Sequence, residues 1–280
     1  MVQTIPSDQV TDAELRRYAK LIYDVAGIEI SASKKQLLSN RLRRRLKETR
    51  IETFDAYYEH LRKLPSSHDE WDCFLQEITT HETYLFRDEC NWKWIRETFL
   101  PELVQEARIG KRPRRIRVWS AACSTGDEAY SVATCIAEAI NAPLGWDIKI
   151  VGTDIGIGAV AQAREAQFNA RAVRLVPPDL LSRFFQGDEP SQTWQPVDRL
   201  RKMTQFKQHN LLNPLPETPF DLVLLKNVLI YFNQESKRRV IENLQRVVSP
   251  GAMVIGGAAE GISGMMTGFE RLSPWLYRRQ

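Results

Sequence analysis

Two adjacent acids, Asp127 and Glu128, follow the single glycine of VWSAACSTGDEAYS, Val118 to Ser131, where an apolar stretch passes through small residues into a helical pattern. A strand, tight turn and helix in that order normally cradle a nucleotide, yet a dinucleotide loop carries three glycines where this one has Gly126 alone. The small residues Ser120, Ala121, Ala122, Cys123, Ser124 and Thr125 let the backbone approach a ligand without wrapping a pyrophosphate. Carboxylates at the start of the helix would also repel a phosphate where the helix N-terminus should attract one, unless they only complement the helix dipole. A ligand with no phosphate, a positive charge and free hydroxyls fits better, and S-adenosylmethionine has a sulfonium, an ammonium and ribose hydroxyls. Asp154 closes the next apolar run, IVGTDIG, where α/β nucleotide folds place the acid that holds ribose. It lies 28 residues beyond Gly126, more than the roughly 20 of a dinucleotide fold. A third piece, FDLVLLKNVLIYF, ends an apolar strand in Lys226 and Asn227 and brings Tyr231 one helical turn later. An asparagine in such a place, taken alone, is more often a turn former than a ligand.

Positioning these groups requires an alternation of strands and helices. Ile116–Ala121, Ile148–Thr153, Phe220–Leu225 and Ala252–Ile255 read as strands; Glu128–Ile140, Gly158–Ala166 and Gln234–Val248 read as helices. Phe269 to Arg279 reads as a closing strand or hairpin. The pattern implies an α/β fold, a mostly parallel sheet with helices on both faces and ligands at the carboxyl ends of the strands. Residues 176–208 break the rhythm with Pro177-Pro178, Gly187 and Pro190, and short alternations near Trp194–Val197 and Met203–Phe206 suggest a small β insertion. Ahead of this domain, residues 1–78 read as four helices. Thr11 and Glu14 form a capping-box signal before the first, and a Leu38, Leu42, Leu46 stripe marks the second. Residues 79–90, TTHETYLFRDE and its neighbour, form a linker to the domain of residues 91–280.

The net charge of +4 is unevenly spread. Lys34 to Arg50 holds eight basic residues and one acidic, so Arg41, Arg43, Arg44, Arg45 and Lys47 flank the leucine stripe of the second helix. Such a row is either a solvated face or a docking surface for an acidic partner. A second basic run, Arg108 to Arg117, is assigned to the solvated loop before the first strand. The N-terminus has neither a basic start nor an apolar core, and no window is apolar enough to span a bilayer, so a cytoplasmic protein that does not insert into the membrane is expected. Cys73, Cys90, Cys123 and Cys135 are too scattered for a zinc site, and no metal is expected.

TTHETYLFRDE at 79–89, VWSAACSTGDEAYS, HNLL at 209–212 and NVLIYF at 227–232, in that order, resemble the chemotaxis receptor glutamate methyltransferases over nearly the whole chain. The resemblance implies a Rossmann-like S-adenosylmethionine-dependent methyltransferase domain with a small β subdomain, preceded by an all-α receptor-recognition domain. It implies a cofactor site formed by His81, Thr83, Arg87, Ala121, Glu128, Asp154, Asn210, Leu211, Lys226 and Asn227. Within it, Glu128 and Asp154 hold polar groups, and Asn210 with Leu211 lines the adenine site. Arg87 and Tyr231 would position the acceptor carboxylate. Arg41, Arg43, Arg44, Arg45 and Lys47 would steer the acidic helices of a receptor's cytoplasmic domain. The product would be a glutamate methyl ester together with S-adenosylhomocysteine, and the enzyme is expected to work as a monomer. The chemistry needs alignment rather than a metal or a general base, because a carboxylate is already ionised at neutral pH.

The sequence departs from the family at His81, usually Asn, at Lys226, usually Arg, and at Ala258-Ala259-Glu260, often His-Ser-Glu. Two other readings stand beside this one. A nucleic-acid methyltransferase draws on the pI of 8.9 but would need a basic channel with aromatic residues for an extruded base. A non-catalytic binder of S-adenosylmethionine would account for the departures.

Overall fold

The computed structural model describes residues 9–140, 145–188 and 190–280. Helix α1, Asp12–Ala26, begins at a complete capping box between Thr11 and Glu14 and ends at Gly27, whose φ of 70° only glycine takes without strain. Helices α2, Lys35–Thr49, α3, Phe54–Lys63, and α4, Asp69–Ile78, complete the first unit around Tyr18, Ile22, Leu42, Tyr57, Leu61 and Phe74. Residues 79–88 then lead into α5, Glu89–Trp94, which continues through a π-helical turn, Ile95–Phe99, into α6, Leu100–Arg108.

The second unit runs β1, Arg115–Ala121; α7, Asp127–Ala139; β2, Asp147–Asp154; and α8, Ile157–Glu165. A small section follows: β3, Phe168–Asn169; α9, Ala170–Val173; α10, Pro178–Phe184; β4, Phe185–Asp188; β5, Thr193–Pro196; and α11, Asp198–Met203. It closes with β6, Thr204–Gln208; β7, Phe220–Leu225; a 3-10 turn, Leu229–Tyr231; α12, Gln234–Arg246; β8, Val248–Gly256; β9, Phe269–Ser273; and β10, Leu276–Arg279.

The seven-stranded sheet has the order β6-β2-β1-β7-β8-β10-β9. Its first five strands are parallel and β10 is antiparallel to both neighbours, which makes the expected closing hairpin. Alternate residues of β1 serve the two faces: Ile116 and Val118 pack under α7, Trp119 and Ala121 toward α12. Strand order reverses between β1 and β7, so a crevice must open beyond their carboxyl ends.

Both ends of the insertion differ from expectation. The small antiparallel sheet β3-β5-β4 starts at Phe168, and Thr204–Gln208, read from sequence as part of the insertion, pairs with β2 as the edge of the main sheet. Phe206 fixes that register by packing into the core beside Tyr130. Among the described residues no helix is long and apolar enough to cross a membrane, and no cluster of side chains could hold a metal ion.

Candidate functional site

The turn after β1 takes its shape from three residues with positive φ, Ala122 at 60°, Ser124 at 51° and Gly126 at 89°. At Gly126 a Cβ would stand 2.9 Å from that of Ala163 on α8, so close packing demands glycine as well as the dihedral. Asp154, at the end of β2, accepts from the amide of Ser124 at 2.8 Å and from that of Gly156 at 2.9 Å. One buried carboxylate thus ties two strand-end loops together. The two acids that open α7 part company here. Asp127 is buried, accepts from the Thr125 hydroxyl at 2.6 Å, and serves the fold; burial pushes its pKa up. Glu128 lines the crevice and accepts from the Ser120 hydroxyl at 2.7 Å. Burial pushes its pKa up, and Lys226 opposes the shift.

Lys226 does not point freely into the crevice. Its side chain is 3% exposed, with Nζ 2.9 Å from Asp88 Oδ2 and 3.7 Å from Glu128 Oε2. The ammonium also lies 5.6 Å from the centre of the Trp92 ring. The lysine therefore clamps the end of the linker to the acid wall, a two-sided charge pairing that makes its burial tolerable.

Residues 78–84 and Arg87 form a further part of the lining. His81 Nε2 shares a 2.7 Å hydrogen bond with the Thr79 hydroxyl, and its Nδ1 is 3.8 Å from Asp154. Burial holds its pKa below the ordinary value, Asp154 pulls the other way, and the charge of Arg41 adds to the lowering. Arg87 donates from Nη1 to the Glu82 carbonyl at 3.0 Å and lies over the Tyr84 ring at 5.6 Å, so its fork is held in place before any ligand arrives. The helical unit supplies the third side. Arg41 bonds the Ile78 carbonyl and, at 2.7 Å, the Thr80 hydroxyl, and it lines the crevice with Ile28, Ile30, Lys34, Leu37 and Leu38. Asn210 donates from Nδ2 to the Val25 carbonyl at 2.8 Å, and Glu29 donates from its amide to the Tyr231 carbonyl at 2.8 Å. The two contacts tie the end of α1 and the residues just after it to the loops that follow β6 and β7.

His81, Thr83, Arg87, Glu128, Asp154, Asn210, Leu211, Lys226, Asn227 and Tyr231 thus share one cleft enclosing about 1410 Å³ of space open to solvent. Ala121 does not line it: the residue ends β1 inside the core, and the following Ala122, Cys123 and Ser124 form that wall. Among the basic residues of α2, Arg41 reaches the cleft, whereas Arg43, Arg44 and Lys47 lie outside it. Arg45 is a correction. It is 6% exposed and makes a bidentate pair with Glu70 of α4, so it cannot meet a partner. Sequence reading missed Lys34, Tyr84 and Trp92 as wall residues. Lys34, whose Nζ lies 5.4 Å from the Tyr231 ring centre, was visible only as one member of the basic run.

The acid-lined turn suits a cationic nucleoside. The Ser124 hydroxyl is buried on that wall without a hydrogen-bond partner, as expected of a group that awaits a ligand's polar atom. A doubly wound sheet with an antiparallel edge hairpin and a phosphate-averse first crossover defines the class of S-adenosylmethionine-dependent methyltransferases. Residues 81–275 match the S-adenosylmethionine-binding domain of CheR methyltransferase, and residues 13–79 match its all-alpha domain. The chain belongs to the CheR methyltransferase family, and its cofactor is S-adenosylmethionine. It is 32% identical over 274 residues to the chemotaxis protein methyltransferase of Klebsiella aerogenes, covering 96% of this chain and 89% of that protein. Identity to the chemotaxis protein methyltransferase of Salmonella typhimurium is 30% over 273 residues, with 96% and 90% covered. For chemotaxis protein methyltransferase 2 of Vibrio cholerae it is 30% over 257 residues, with 91% and 87% covered.

Proposed function

We propose that this enzyme transfers a methyl group from S-adenosylmethionine to glutamate side chains on the cytoplasmic helices of chemoreceptor-type proteins, forming methyl esters. The observation that carries the reading is the polarity of the cleft. Glu128 and Asp154 line it together with the cations Lys34, Arg41 and Arg87 and the phenol of Tyr231. The acids suit the sulfonium nucleoside and the cations suit an incoming carboxylate.

In this reading Glu128, Asp154, Asn210, Leu211 and Asn227 hold the cofactor, which when bound supplies an electrophilic methyl group. Arg87, preset by the Glu82 carbonyl, and Tyr231 orient the acceptor oxygen. No base is required, since a glutamate is ionised at neutral pH. Too tight an ion pair to Arg87 would quench the nucleophile, so its part is orientation and partial removal of water. Arg43, Arg44 and Lys47, outside the cleft on α2, would steer the acidic receptor helix toward it. The reading places a monomer in the cytoplasm, acting on protein and not on nucleic acid.

The test is incorporation of labelled methyl from S-adenosylmethionine into receptor cytoplasmic fragments as a base-labile ester, lost in Arg87→Ala. Label entering oligonucleotides instead, or cofactor binding with no transfer to any receptor fragment, would overturn it.

A further inference from the structure

Glu260, just beyond the end of β8, is 0% exposed, and neither carboxylate oxygen has a hydrogen-bond partner of ordinary length and angle. It does not line the cleft, so the chemistry above makes no use of it. Its side chain folds back over Gly257, where a Cβ would come within 2.8 Å of Oε1; the glycine is the space the carboxylate occupies. On its other side stand the backbone amides of Asn227, Val228, Leu229 and Ile230. Burial pushes the carboxyl above the ordinary range and these amides pull it back.

The four donors precede or open the 3-10 turn Leu229–Tyr231, and the first amides of any helical turn lack acceptors within it. Successive amides turned to one side form a concavity that attracts an anion. The same segment carries two groups of the site: Asn227, held at a φ of 58°, and Tyr231. A carboxylate sealed in the core without closed hydrogen bonds is costly, and in exchange this one sits behind the loop that shapes the cleft.

We propose that Glu260 is a positioning residue: its buried carboxylate is the anion around which the 227–230 amides gather, and this sets Asn227 against the cofactor and Tyr231 beside the acceptor. The assignment of those two side chains rests on the function proposed above; the gathering of the amides does not.

The experiment compares the full-length protein with Glu260→Ala and Glu260→Gln by amide hydrogen exchange over residues 226–232, calorimetry with S-adenosylhomocysteine, and thermal unfolding. In Glu260→Ala the segment is expected to exchange about tenfold faster and the ligand to bind about tenfold more weakly. The unfolding midpoint should change little, because leaving the amides without an anion is offset by removal of a buried carboxylate. Glu260→Gln, which keeps a carbonyl acceptor, falls between. Wild-type exchange and affinity in Glu260→Ala would overturn the proposal. So would equal losses of midpoint and affinity in both variants, the mark of a merely structural role. Should Glu260→Ala not fold, the near-isosteric glutamine variant decides by the same readouts. A wild-type protein that binds no S-adenosylhomocysteine would sink the cofactor reading instead and leave the exchange comparison to judge Glu260.

Discussion

Replacing Arg45 by methionine separates what α2 does for the fold from what it does for a partner. Arg45 Nε donates to Glu70 Oε1 at 3.1 Å and Nη2 to Oε2 at 2.7 Å, while the Tyr57 hydroxyl donates to the same Oε1 at 2.5 Å. Both charged side chains are nearly sealed, 8% and 10% exposed. Methionine fills the volume but strands the Glu70 carboxylate beside Tyr57, and a buried pair broken on one side costs about 3–5 kcal/mol. The double change Arg45→Met/Glu70→Leu removes both charges and is expected to recover most of that loss, since apolar replacements of a buried pair are often neutral. Urea unfolding followed by circular dichroism reads the stability. The contrast is Arg44→Ala/Lys47→Ala, which touches two exposed residues, one of them in the 3.1 Å pair of Arg44 with Glu77. Such a pair contributes about 0–1 kcal/mol, so stability should scarcely move while KM for a receptor fragment rises in a salt-dependent way. If Arg45→Met unfolds with the wild-type midpoint but loses receptor methylation, the side chain is a partner contact and the argument from burial is wrong.

Glu128→Gln removes the charge that the proposed function sets against the cofactor, and it unbalances Lys226. Loss of a charge-assisted hydrogen bond is worth about 1.5–3 kcal/mol, so S-adenosylhomocysteine should bind roughly 10- to 100-fold more weakly by calorimetry; unchanged affinity would remove Glu128 from the cofactor site. Arg87→Lys keeps the charge and loses the planar fork, and kcat should fall by about tenfold or more with S-adenosylhomocysteine affinity less affected. His81 has its pKa held below the ordinary 6.5 by burial. The unfolded chain therefore takes up a proton near pH 6.5 before the folded one does, and this component of stability is present above that pH and lost as pH falls toward the folded value. His81→Asn should flatten the decline of the urea midpoint between pH 7.5 and 5.5 relative to wild type; parallel declines would show that His81 is not its source.

What could be read in the sequence was local, and what could not was a matter of distant partners. The turn between β1 and α7 is legible because its small residues, its glycine and its acids are consecutive, and the end of β2 because Asp154 closes an apolar run. The four helices of the first unit show their spacing and caps in the same way. Arg41, Arg43, Arg44, Arg45 and Lys47 of α2 look alike in the sequence, yet Glu70, 25 positions away, draws Arg45 inward, and the carbonyl of Ile78 turns Arg41 toward the cleft. Asp127 and Glu128 are neighbours with opposite fates because helix geometry sends successive side chains to different faces, one into the core and one to the cleft. Thr204–Gln208 was misread for a related reason: a short alternating strand does not say which sheet it will join, and only pairing with β2 decides. Lys226 makes the point in the site itself. A lysine in place of the usual arginine suggests a weakened pocket until Asp88 and Glu128 are seen on either side of it. One ammonium between two acids carries the same charge that a guanidinium would bring there, so the substitution leaves the charge balance around Glu128 unchanged.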